Sequence, residues 1–188
     1  MEADWSVEIG SGLPRIDASW EGFVDLQTSP GKIDTVDEAQ HPSLRNALLM
    51  LNAKNSPVFT SKCDTWTLDR SEIDSDEFDA DPEDAHAGFA SYIDILEHDA
   101  AHFASFAFHE QRVRDLTSRL RPFALRRGRV DLVVRVAGWK AQSGYGLTLY
   151  AAGCGADETG AYAAWQAVLT AAVAATIAAA AHPPHTGE

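Results

Sequence analysis

Asp94, His98 and His102 stand four residues apart, the spacing that aligns three side chains along one face of a continuous helix. Two imidazoles at i and i+4, with a carboxylate one turn earlier, form a donor set for a divalent cation. The apolar centre of that helix would be Phe89, Leu96 and Phe103, and the three polar residues fall on the opposite side. A solvated stripe is therefore the plainer explanation. No His-Glu-x-x-His motif is present to strengthen the metal reading.

Asp74, Asp76, Asp79 and Asp81 make a second group with a calcium-like look. An EF-hand loop needs a glycine at position six for its sharp turn and a bidentate glutamate at position twelve. Counted from Asp74, those places hold Asp79 and Ala85. Both requirements fail, and a hydrated acidic loop is the simpler account.

Cys154 stands between Gly153 and Gly155, after an expected strand and before an expected helix. A thiol near a helix N-terminus can have a lowered pKa, and flanking glycines leave room for a substrate. Asp157 and Glu158 oppose thiolate formation, and no histidine can be assigned as its base. Cys63 follows Lys62 but alternates with residues of buried type. For both thiols a structural role is the leading expectation, and a contact between them across adjacent strands stays open.

Eight of the eleven arginines fall between Arg112 and Arg135. Such a cluster suits a phosphate or another anion. Pairing with carboxylates of the first half is the stronger expectation, because those carboxylates are abundant. Residues 1–100 hold 22 Asp/Glu against 6 Lys/Arg, whereas residues 101–188 hold 6 against 9. No glycine-rich nucleotide loop and no G-x-S-x-G nucleophile elbow occurs.

The elements that position these residues follow from periodicity. Residues 1–40 read as irregular, with one short strand at Gly22–Gln27. Pro42 opens a helix carrying Leu44, Ala47, Leu48 and Leu51, and Val58–Leu68 has strand composition. Residues 69–84 hold nine Asp/Glu and form an exposed loop. Asp81 and Pro82 then predict the start of a helix running to about Glu97. Phe103–Phe108 reads as a strand, Glu110–Arg121 as a helix, and Val130–Val136 with Gly146–Ala151 as a hairpin linked by a polar, glycine-bearing segment.

A last helix spans about Asp157 to Ala181, and residues 183–188 are expected to be a disordered tail. Twelve of its 21 residues from Ala161 are alanine, and no charge occurs between Thr159 and Ala181. Tyr162, Trp165, Leu169, Val173 and Ile177 mark one face, as expected for a helix packed on a sheet rather than one crossing a bilayer. The expected fold is α+β, a single compact domain over residues 1–188 whose mixed or mainly antiparallel sheet carries packed helices.

A formal charge of −13 and a pI near 4.8 argue against binding nucleic acid or anionic membranes. An acidic start with no apolar run predicts a cytoplasmic setting. The leading functional expectation is an interaction module, inhibitor-like or antitoxin-like, that recognises a basic protein partner through Asp74, Asp76, Asp79 and Asp81. The alternatives are an enzyme for a small anionic substrate using Cys154 with Arg and His groups, or a metal protein using Asp94, His98 and His102. No cofactor is expected, and the alanine-rich helix is a candidate surface for homo-oligomer formation.

Overall fold

Period-two alternation builds the six-stranded sheet on which the helices of this molecule pack. The computed structural model describes residues 1–18 and 20–180, so the expected tail at 183–188 lies outside the described residues. Strands Gly128–Trp139 (β5) and Gln142–Gly155 (β6) pair antiparallel through a two-residue turn. Lys140 and Ala141 fill that turn with φ of 48° and 62°, the left-handed pair that matches strand twist. The polar, glycine-bearing segment expected as a linker is therefore divided between the end of β5, this turn and the start of β6.

Three further strands extend the hairpin into a sheet. The order is β1-β5-β6-β4-β3, with β1 at Glu2–Glu8, β3 at Val58–Leu68 and β4 at Ala87–Glu97. A two-residue strand, β2 (Ile16–Asp17), continues along β5 beyond β1. β1 and β2 run parallel to β5, and the other pairings are antiparallel. The mixed α+β sheet and single compact domain are as the alternation and composition predict.

Among the described residues four α-helices accompany the sheet: α1 (Pro42–Leu51), α2 (Ala100–Ala104), α3 (Phe106–Leu120) and α4 (Glu158–Ala180). α1, α3 and α4 cover one face of the sheet, where Leu44, Leu48, Ile93, Ile95, Leu116, Leu132, Leu149 and Trp165 form the main core. Asn52 fastens α1 to β3: its amide donates to Leu48 O and Thr60 Oγ1 and accepts from the Thr60 N–H. By length and composition α4 could cross a membrane. Here Trp165, Leu169 and Val173 are buried against the sheet, and the outward positions are mostly alanine.

Several expectations are corrected. Residues 87–97 are the interior strand β4, between β3 and β6, not a helix; Phe89, Ser91, Ile93 and Ile95 alternate with Ala90, Tyr92, Asp94 and Leu96. Asp81 and Pro82 do begin a helical turn, but it ends at Asp84. Phe103–Phe108 is helical, broken where the Ser105 hydroxyl accepts the Phe108 N–H and caps α3. Gly22–Gln27 is turn and irregular backbone with no strand pairing, whereas Glu2–Glu8, read as irregular, is a strand.

Candidate functional site

Among the described residues, the second face of the sheet carries no long helix, and the strand registers set out its rows. Asp64, Tyr92, Tyr150, Asp131 and Asp4 stand side by side across β3, β4, β6, β5 and β1. The next row on one side holds Asp94, Thr148, Val133 and Ser6; on the other it holds Trp66, Ala90, Ala152, Arg129 and Glu2. Arg135 and Glu8 pair one row further on. Acidic groups therefore outnumber basic ones along this face, with an aromatic patch near β3.

Two small apolar clusters wall the face. At one end Ile16, Ala18 and Phe103 close over Phe59, Leu96 and Ala137. At the other, the acidic loop packs Ile73, Phe78 and Ala85 onto Cys154. Between them runs an open groove of about 410 Å³, lined among others by Trp66, Glu77, Phe78, Arg129, Asp131 and Tyr150.

Those buried side chains hold the acidic loop in a defined shape. A capping box closes its first turn: the Asp69 N–H donates to Glu72, 2.8 Å away, and the Asp69 side chain accepts in return. Asp74 Oδ1 accepts the Asp76 N–H at 3.0 Å, and Asp79 ends the next turn with φ of 50°. Asp74, Asp76, Asp79 and Asp81 are all exposed. Asp76 and Glu77 also meet Glu2 and Asp4 of β1 around a hollow of about 310 Å³ that Arg129 lines as well, so that carboxylates of loop and sheet edge surround one guanidinium.

Six of the eight cluster arginines meet carboxylates of the first half, as the charge asymmetry predicts, whereas Arg114 pairs with Glu110 of its own helix. Arg126 pairs with Asp81 at 3.4 Å, Arg127 with Asp84 at 3.9 Å, and Arg129 with Glu77. Arg135 reaches Glu8 at 2.8 Å, Arg121 reaches Asp4 at 3.8 Å, and Arg112 makes a buried pair with Glu97. Asp74, Asp76 and Asp79 have no ion-pair partner among the described residues.

A polar relay lies under the groove. Arg135 donates to Thr148 Oγ1 at 3.3 Å, and that hydroxyl donates to Asp94 Oδ1 at 2.6 Å. Burial pushes the Asp94 pKa up, with the Thr148 bond and the Arg135 charge acting against it. His98 and His102 do not share this site. In a strand four residues span roughly 13 Å, against about 6 Å along a helix, so the expected line of ligands does not form. His98 packs against Phe59 with centroids 4.8 Å apart and meets Trp139 edge-on at 6.2 Å, and His102 lies flat on Phe108 at 3.9 Å. Among the described residues, no group of three or more His, Cys, Asp and Glu side chains is placed to hold a metal ion.

Cys154 occupies the opposite of an activating environment. It is fully buried beneath the acidic loop, and burial pushes its thiol up to about 11. The flanking glycines serve the helix rather than a substrate: a Cβ on Gly153 would stand 2.1 Å from the Trp165 amide nitrogen of α4. Cys63 packs against the main core on the other face, its thiol pushed up to about 12, chiefly by burial. The two cysteines are free and do not face each other. Iodoacetamide at pH 7.5 is expected to alkylate either thiol at least ~100-fold more slowly in the native protein than in urea, because the thiolate is the reactive form. Peptide mass spectrometry measures this, and rapid labelling of native Cys154 would contradict its burial.

A cleft of about 480 Å³ separates β3 from the N-terminal segment, with Trp20, Leu26, Glu38, Leu48, Lys62 and Cys63 on its walls. Neither this cleft nor the aromatic patch is foreseen from sequence spacing. Trp66, Tyr92 and Tyr150 share a face only through the register of three strands. Set beside known proteins, the chain matches no family model, and no curated protein and no solved structure matches it significantly.

Proposed function

We propose that this protein is an interaction module whose acidic surface, centred on residues 69–84, binds a basic protein partner. One observation carries the proposal. The neighbouring arginines Arg126, Arg127 and Arg129 are each engaged by a carboxylate, yet Asp74, Asp76 and Asp79 stay exposed with no ion-pair partner within 4 Å among the described residues. Surplus charge on an anchored loop is pre-organised for a partner, because little ordering entropy is lost when the partner docks. The same charge steers a basic protein into encounter and weakens with salt.

The test replaces Asp74, Asp76, Asp79 and Asp81 with Asn and compares capture from lysate by tagged wild-type and variant protein. The wild type is expected to retain a basic protein that elutes with salt, and the variant to lose most of it. Equal capture by both forms, with circular dichroism showing both folded, contradicts the proposal.

A further inference from the structure

Trp66, Tyr92 and Tyr150 form a triangle on the uncovered sheet face, with ring centroids 6.4, 6.5 and 6.0 Å apart. Their planes are mutually tilted by 48°, 80° and 47°, so the rings make a shallow, faceted bowl rather than a flat stack. Trp66 is 37 % exposed on the edge strand, and the two tyrosines are half-buried beneath it. Such a patch could be simple cross-strand packing. The charges around it argue for more.

Two carboxylates border the bowl. Asp64 stands directly opposite Tyr92 in the β3–β4 register, and Asp94 lies two residues further along β4. Neither has an ion-pair partner among the described residues. The cations nearby are already engaged: Arg135 with Glu8, Arg129 with Asp131 and Glu77, and Lys62 over the Trp20 ring at 5.3 Å. After burial, Asp94 and Asp64 are the largest causes holding the Tyr92 hydroxyl up at about 12, while Arg135 and Lys62 act on Asp94 in the opposite sense. Arg135 already lies over the Tyr150 ring at 5.6 Å, so a guanidinium is compatible with this surface.

We propose that the Trp66–Tyr92–Tyr150 bowl receives one arginine side chain of the basic partner, the guanidinium stacking on the rings while Asp64 takes its charge. A flat, weakly hydrated guanidinium suits a shallow aromatic floor better than a compact ammonium does. The inference rests on the interaction-module reading and names the residue type that reading leaves open. The acidic loop supplies long-range attraction, and the bowl supplies selection.

The experiment titrates nona-arginine and nona-lysine peptides of equal charge into wild-type protein, Trp66→Ala, and the variant carrying Asn at positions 74, 76, 79 and 81. Wild type is expected to prefer nona-arginine. Trp66→Ala should lose about 3- to 10-fold of its affinity for that peptide, the scale of one cation–π contact, and with it the preference. Its salt dependence should stay unchanged. The Asn variant should weaken both peptides and flatten the salt dependence while keeping the preference. Trp66→Phe, which restores a ring, should recover much of the loss and so separates recognition from misfolding. If Trp66→Ala binds nona-arginine as wild type does while the Asn variant is weakened, the arginine bowl is overturned and the acidic-surface reading survives. If wild type binds neither peptide, or neither variant is weakened, both fall.

Discussion

Gly153→Ala is expected to destabilise the protein by about 3 kcal/mol or more, at the upper end of what overpacking a core costs. The added Cβ would stand 2.1 Å from the Trp165 amide nitrogen, 2.7 Å from the Ala164 carbonyl carbon and 2.8 Å from the Ala161 carbonyl oxygen. All three are backbone atoms of α4, so no side-chain rotation relieves the contact. The helix must lift from β6, and Trp165 would be drawn from the core with it, breaking its bond to the Ser91 hydroxyl. At this chain length each kcal/mol lowers the midpoint by about 2–4 °C, so thermal unfolding should shift by about 6–12 °C. Gly31→Ala is the matched control, because nothing lies within 4 Å of its added Cβ. Equal midpoints for the two variants would mean that α4 does not sit on β6 as described.

The second large effect concerns Glu97 and Arg112, both only 5 % exposed in their side chains. Glu97 ends β4, Arg112 comes from α3, and the guanidinium also reaches the Thr176 carbonyl of α4 at 3.5 Å. Burial alone pushes Arg112 down to about 10, which indicates how much the surroundings disfavour an ion. Arg112→Met leaves a carboxylate buried without its counter-charge and should cost about 3–5 kcal/mol. Adding Glu97→Leu to that variant should recover most of the loss, since a well-packed apolar pair often replaces a buried ion pair without penalty. Urea denaturation of the four forms gives the coupling as a double-mutant cycle. A double variant no more stable than Arg112→Met alone would show that the charge pair is not what fixes this corner of the core.

How much of this was legible in the sequence depends on the physics of each segment. Val58–Leu68, the start of α1 at Pro42 and the apolar stripe of α4 could be read because composition and periodicity agreed there. In β4 they disagreed. Phe89, Tyr92, Ile93 and Leu96 match a helical spacing, but the strand buries both of its faces, so the alternation no longer sorts apolar from polar. β1 was hidden by its acids, although Ala3, Trp5 and Val7 alternate cleanly with Glu2, Asp4, Ser6 and Glu8. The pairing of second-half arginines with first-half carboxylates followed from charge counting, which needs no fold. The aromatic bowl could not follow from any local pattern. Its residues come from positions 66, 92 and 150, and only the β3-β4-β6 order brings them together.

The Gly153-Cys154-Gly155 segment shows how one sequence feature admits two physical meanings. Small residues around a thiol suit a reactive site, and they equally suit close contact between a helix and a strand. The backbone of α4 fills the space that a substrate would have needed.

Surplus anionic surface, held rigid and left uncompensated by the molecule's own arginines, is what the functional account needs above all. The most direct measurement takes the basic protein recovered by capture and follows its dissociation constant from 50 to 300 mM salt, for wild type and for the variant with Asn at the four loop positions. Affinity for wild type should fall steeply and log-linearly with salt, and the variant should bind more weakly with a distinctly shallower slope. Identical slopes for the two proteins would place recognition somewhere other than the acidic loop.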